Sequence, residues 1–179
     1  VTSDAIVRDG RLRLMPLPAD LQAQIDTKLP PRWSRNNPVD CAGGEVRDTI
    51  PEVMEMIAAH PEVHAIVYLG IGIQSNQARL MKEGRFYPGN GLERIVAYHE
   101  RQDERFAEAA HELSLRYGKP ILTATELAVA DPDNAGPRAV RATGRLCYAS
   151  GNRAVTALGH LWQYAQFRER RGLGSEGAR

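Results

Sequence analysis

The sequence predicts an α/β fold, a doubly wound parallel sheet with helices on both faces. Three observations predict it. Strand-like apolar runs alternate with amphipathic helical stretches along the 179 residues, the order that builds parallel sheets from strand–helix–strand units. Residues 63–73 are apolar at consecutive rather than alternate positions, as a strand covered on both faces requires. Ile50, Val53, Met54, Ile57 and Ala58 recur at i, i+3, i+4, i+7 and i+8, the stripe of a helix with one buried face.

The elements follow in order. A short first helix, capped by Thr2 or Ser3, ends at Gly10. Residues 11–17 alternate charged and apolar side chains, as a strand near a sheet edge does. Leu21, Ile25 and Leu29 mark one face of a helix over residues 19–29, which Pro30-Pro31 ends. Residues 37–41 read as a short strand leading into the Gly43-Gly44 loop. Thr49 and Glu52 have capping-box spacing, with Pro51 in the first turn of the next helix, and His60-Pro61 stops it.

After the strand at 63–73, residues 74–91 form a long polar linker punctuated by Gly84, Pro88, Gly89 and Gly91. A linker of that length is either functional or partly helical. Residues 92–117 read as a long helix with Phe106, Ala110, Leu113 and Tyr117 in its later stripe, closed by Gly118. A strand is expected at 121–125, a loop around one helical turn at 130–144, and a last short strand at 146–149. Ser150 or Asn152 caps the final helix, whose inner face is read as Val155, Leu158, Leu161, Trp162 and Ala165. The domain is placed at residues 1–168 and a disordered Gly-rich tail at 169–179.

The composition narrows function by exclusion. Hydrophobic content of 42% and charged content of 25% suit one soluble domain with a real core. A net charge of +1 with interspersed signs argues against an electrostatic grip on nucleic acid or membrane. Cys41 and Cys147 are too few for a disulfide framework and sit beside apolar residues, which suits buried thiols and a cytoplasmic location. No apolar run approaches the roughly 20 residues of a membrane span.

Candidate ligand-facing residues come from strand ends, where open α/β sheets bind ligands. Asn37 and Asp40 lie at such an end, or else cap turns around Pro38. Gly43 and Gly44 offer a close backbone approach to a phosphate, or a plain turn. Gly70, Gly72 and Ser75 follow the best strand but lack a dinucleotide-binding fingerprint, so close packing is the competing reading. His60 and His64 have helical metal-pair spacing, but Pro61 breaks that helix, and no metal site is expected. His99, Glu100 and Asp103 read as a solvated or interface face. Ser150-Gly151 lacks the context of a nucleophile elbow.

Several stretches together carry a resemblance. They are Leu29-Pro30-Pro31, Asn37-Pro38-Val39-Asp40, the helix that follows, His60-Pro61-Glu62-Val63-His64-Ala65 with its buried strand, and Gly118-Lys119-Pro120-Ile121. The segment from Tyr148 to Leu158, with Asn152-Arg153-Ala154, closes the pattern. In this order the chain resembles the ligase-type, flavodoxin-like domain of the acyl-CoA synthetases that release a nucleoside diphosphate, relatives of succinyl-CoA synthetase. The resemblance implies a flavodoxin-like sheet of order 2-1-3-4-5 lacking the family's first strand, which would be central. Strands two and three would then be unpaired along one side. Because Val1 is not a Met and no strand precedes the first helix, the chain is read as a fragment or processed product.

The family makes acyl-CoA from an acid, CoA and a nucleoside triphosphate through a phosphohistidine. Its catalytic His lies in a Ser-His-Thr-Gly context that none of His60, His64, His99, His111 or His160 shares, so no catalytic residue is carried over. The resemblance implies a domain that completes the phosphohistidine and CoA site without being catalytic alone, and by position the helix opening at Thr2 and Ser3 would turn its free amides and dipole towards the phosphate. CoA, ATP and Mg2+ would be used by the parent enzyme. The partners would be its CoA-binding and ATP-grasp domains or subunits, with a homo-oligomer left open. The alternatives are a ligand-sensing or scaffolding module without ligase activity, and a free-standing binder.

Overall fold

The computed structural model describes residues 2–41 and 48–173. In chain order the elements are α1 (Thr2–Asp9), α2 (Ala19–Asp26), α3 (Thr49–Ala59), β1 (Ile66–Leu69), α4 (Ile73–Lys82), α5 (Leu92–Tyr117) and β2 (Ile121–Ala124). They continue with α6 (Leu127–Ala130), α7 (Ala135–Ala142), β3 (Cys147–Tyr148) and α8 (Gly151–Arg170). The strands pair in parallel in the order β1-β2-β3, with Ile66 opposite Ile121, Leu69 opposite Ala124 and Thr123 opposite Cys147. This is an α/β architecture, a three-stranded parallel sheet flanked by helices, consistent with a flavodoxin-like fold.

The period of two along each strand divides the core between the faces. Ile121, with Ile66 and Tyr68 beside it, packs on Met54 and Ala58 of α3 and on Ala110 and Leu113 of α5. Leu122 and Ala124 pack on Ala154 of α8, with Val67 and Leu158 beside them. A separate cluster seats Leu21 and Ile25 of α2, with Leu29 and Trp33, against Val53 of α3. The Trp33 indole keeps its polar edge satisfied by donating to Asp26 Oδ1 at 2.7 Å. Burying Leu21 and Ile25 completely contributes roughly 1.5–3 kcal/mol each.

The turn after β1 is where the elements come closest together. Gly70 and Gly72 both have positive φ, +91° and +92°. A Cβ on Gly136, in the first turn of α7, would lie 2.4 Å from the Gly72 nitrogen. Asn134 caps α7 by accepting from the Gly136 amide at 3.0 Å, and its Nδ2 donates to the Gly72 carbonyl at 3.2 Å. The α7 helix can reach the end of β1 only because neither glycine carries a side chain.

The sequence reading needs correction at several elements. Residues 11–17 form no strand, because among the described residues no neighbouring strand supplies ladder partners. Residues 37–41 also form no strand. The Ser34 hydroxyl donates to the Pro38 carbonyl and accepts from the Asp40 amide, which folds the segment into a turn around the cis Asn37–Pro38 bond. The capping box is not formed: Asp48 is the N-cap of α3, Thr49 is buried inside the helix, and Glu52 pairs with Lys28 at 2.9 Å. Helix α2 stops at Asp26, before Leu29.

The strand expected over 63–73 shrinks to Ile66–Leu69, because the two left-handed glycines turn the chain into α4. The linker at 74–91 is partly helical, through α4. The loop expected at 130–144 contains the two-turn helix α7. Leu161 and Trp162 are half exposed rather than inward. Helix α8 runs to Arg170, past the expected boundary at 168, and residues 174–179 of the expected tail lie outside the described residues. Helix α5, its glycine cap and the Ser150 cap of α8 are as read, the Ser150 hydroxyl accepting from the Arg153 amide at 3.3 Å.

The Gly72–Gly136 approach predicts the cost of one methyl group. Gly136→Ala should destabilise the protein by about 2–3 kcal/mol, because backbone on both sides must move. Gly91→Ala, at a positive φ of +76° with nothing within 4 Å, should cost only about 1–2 kcal/mol. Urea denaturation of both variants checks the ranking.

Candidate functional site

A cleft of about 800 Å3 runs beside β1. Residues of β1 line it, together with the irregular segment over residues 11–17. Ile50, Val53, Met54 and Ile57 of α3 close one face, and Ile6 of α1 with Leu158 and Trp162 of α8 closes the other. Asn37, Asp40, Gly70, Gln74 and Asp103 also line the cleft. Gly70 and Gln74 place part of this polar group at the carboxyl end of β1, the edge at which open α/β sheets bind ligands.

The structure distributes the candidate residues among three places. Asn37, Asp40 and Gly70 line this cleft. The Asn37 amide donates to the Met15 carbonyl at 2.9 Å, so it ties the 11–17 segment to the turn. Thr2 and Ser3 lie in the first turn of α1, and Thr2 packs over Gly151 at the start of α8, where a Cβ would come within 2.0 Å of the Thr2 hydroxyl. The N-termini of α1 and α8 therefore meet just past the carboxyl end of β3. Gly72 and Ser75 open α4 beside Asp103. Gly43 and Gly44 lie outside the described residues.

Asp103 is the residue that sequence reasoning missed. It is only 1% exposed, not solvated. Its carboxylate accepts from the Gly72 amide at 2.9 Å and the Ser75 amide at 2.6 Å. Gly72, the N-cap of α4, has no side chain to cap with, and a carboxylate from α5 takes that role. The signal was in the spacing: Asp103 stands seven residues after Val96 and three before Phe106, on the buried stripe of α5. An internal carboxylate thus occupies the anion-attracting end of α4. Burial pushes the Asp103 carboxyl above its ordinary value, and hydrogen bonds from Ser75 and Gly72, with nearby His99, only partly oppose this.

The other titratable groups are less central. His99 Nδ1 contacts Gln74 Oε1 at 2.5 Å, which bridges α5 to α4. Burial raises the Cys147 thiol, so it is a poor nucleophile. Lys119 Nζ donates to the carbonyls of Ala58 and His60, both at 2.7 Å, and so places a cation at the C-terminus of α3. Among the described residues, no cluster of three or more His, Cys, Asp or Glu could hold a metal ion, and no helix is long and apolar enough to cross a membrane.

Asp103→Asn should cost about 1–3 kcal/mol, since an amide NH2 would face one of the two backbone donors. The pH dependence has a definite sign. A folded pKa above the unfolded one means that the folded state holds the proton more tightly. The stability this contributes is present at low pH and is lost as pH rises through the folded pKa. Wild-type stability should therefore lose this contribution as pH rises from below about 4 through the folded pKa, whereas Asp103→Asn, which has no proton to lose there, should lack that step, as read by denaturation at a series of pH values.

No curated protein matches the chain. Residues 1–75, which run from α1 into the start of α4, are similar to the Ligase-CoA domain.

Proposed function

We propose that the chain is the ligase-type part of an NDP-forming acid–CoA ligase, completing the phosphohistidine and CoA site and packing on the catalytic domains without being catalytic by itself. The Ligase-CoA match over residues 1–75 carries the reading. The two converging helix N-termini supply its physical content. The free amides of a first turn and the positive end of the helix dipole favour a phosphate dianion. Thr2 of α1 and Gly151 of α8 place two such ends side by side, whereas the end of α4 already holds Asp103. The phosphate-facing edge is therefore assigned to α1 and α8, with Asn37, Asp40 and Gly70 lining the adjacent cleft.

CoA, ATP and Mg2+ would be handled by the CoA-binding and ATP-grasp parts of the parent, in the cytoplasm. An exposed row on α8, with Leu161 at 50% and Tyr164 at 60%, suits packing on such neighbours. Arg171, just beyond α8, lies over the Phe167 ring at 5.5 Å from its centroid and adds a cationic edge to that row.

The test is an assay of the chain and of its parent for acyl-CoA formation from an acid, ATP and CoA. The isolated chain should be inactive and the parent active. Gly151→Ala drives Thr2 away from α8, and it should lower phosphoenzyme formation in the parent by about tenfold. Turnover by the isolated chain, or unchanged phosphorylation in Gly151→Ala, would count against the proposal. A parent without ligase activity would favour the scaffolding alternative.

A further inference from the structure

Helices α5 and α7 descend side by side towards the amino edge of the sheet, and two polar side chains come together where they reach it. Glu104 of α5 faces Arg138 of α7 at 3.7 Å, and Ala107 shares an apolar cluster with Val140 and Cys147. The next residues down follow from the two periods. One step of i+4 along α5 leads from Ala107 to His111 and drops about 6 Å. Two residues back along β3, on the same face of the sheet, lead from Cys147 to Arg145 and drop about 6.6 Å. His111 and Arg145 therefore meet at one level, as Ala107 and Cys147 do above them. The register agrees. Thr123 pairs with Cys147, and Arg145 Nη1 reaches the carbonyl of Ile121, two residues earlier, at 3.4 Å.

Both groups lack what a buried polar atom needs. Arg145 is half-buried, and the Ile121 carbonyl is the one hydrogen-bond acceptor that its guanidinium meets among the described residues. Burial alone holds its pKa below the ordinary value, so no carboxylate offsets the cost of desolvating this cation. His111 Nδ1 is buried and has no hydrogen-bond partner among the described residues. Thr143, two residues before Arg145, donates its hydroxyl to its own Val140 carbonyl at 2.7 Å. Gly144 leaves the approach open, since a Cβ there would meet nothing within 4 Å. One turn beyond His111 on α5 stands Leu115, a leucine 67% exposed.

We infer that His111 and Arg145 form a binding site for a carboxylate carried on an apolar group, beside β3 at the amino edge of the sheet. The planar guanidinium presents parallel N–H groups that match the two oxygens of a carboxylate. The Nδ1–H tautomer of His111 donates a further hydrogen bond, and Leu115 covers the aliphatic body of the ligand. The charge that Arg145 carries into the protein is then balanced by what it binds. The site uses no residue of the cleft beside β1 and stands whether or not the ligase reading holds.

The probe is sodium hexanoate, titrated into the chain at constant ionic strength and followed through the proton–nitrogen correlation signals of the Arg145 Nε–H and the His111 ring. Both signals should shift together and saturate with one Kd. Hexanamide, the same body without the charge, should shift neither. Arg145→Gln should weaken binding by about tenfold or more, and Arg145→Lys, which keeps the charge and loses the fork, should fall between. Leu115→Ser, at an exposed position, should bring the affinity for hexanoate down to that for acetate, and it keeps the test decisive if Arg145→Gln does not fold. Shifts that never saturate, equal binding of hexanamide, or undiminished binding by Arg145→Gln would overturn the site. Inorganic phosphate binding as tightly as hexanoate, or an unchanged preference for hexanoate over acetate in Leu115→Ser, would overturn the assignment of the ligand as an apolar carboxylate.

Discussion

Much of this molecule follows from a parallel strand whose backbone is hydrogen-bonded on one side only. Buried amides and carbonyls need partners, and β1 finds them in β2, while among the described residues no strand lies on its other flank. The consequences spread outward from that edge. Residues 11–17 have no ladder partner among the described residues. Leu69 keeps an exposed side chain, and the space beside β1 is a long apolar cleft rather than a packed core. The central strand β2 shows the contrast, its Ile121 buried against α3 and α5 and its Leu122 against α8.

At the carboxyl end of β1 a second constraint takes over. Gly70 and Gly72 turn the chain sharply, and Asp103 and Asn134 then take up the backbone groups that the turn exposes. This joins α4, α5 and α7 into one unit and neutralises the end of α4 internally. The ends of α1 and α8 meet nearby with only the Ser150 hydroxyl capping α8. The α4 end thus serves the fold, while the α8 end is capped by its own Ser150 and the first turn of α1 carries Asp4.

The parts of the fold legible in the sequence were those governed by local periodicity and caps. Helix α5 was readable in full because its stripe and Gly118 agree, and α8 because Ser150 marks its start. Tertiary partners decided what was misread. The alternation over residues 11–17 is a genuine strand pattern, but a strand exists only against another strand. Gly70 and Gly72 cut short the apolar run at 63–73, and a run of apolar residues carries no mark of where a left-handed turn falls. Helix α7 was obscured by its Gly136-Pro137, which signals a loop in isolation and here permits the contact with Gly72. Of the cleft lining, Asn37 and Asp40 are named in the sequence for a strand end that the structure replaces with a turn, and Gly70 for the end of β1, where it does lie. Asp103 was passed over because a carboxylate among charged neighbours looks solvated until its register on the helix is counted.

The most direct test of the one-sided strand is amide hydrogen exchange along β1 in the unmodified chain. The account predicts an alternation, with slow exchange at Ile66, Tyr68 and Gly70 and fast exchange at Val67 and Leu69. Uniform protection across all five amides would contradict it, because β1 would then have a partner on its second side already.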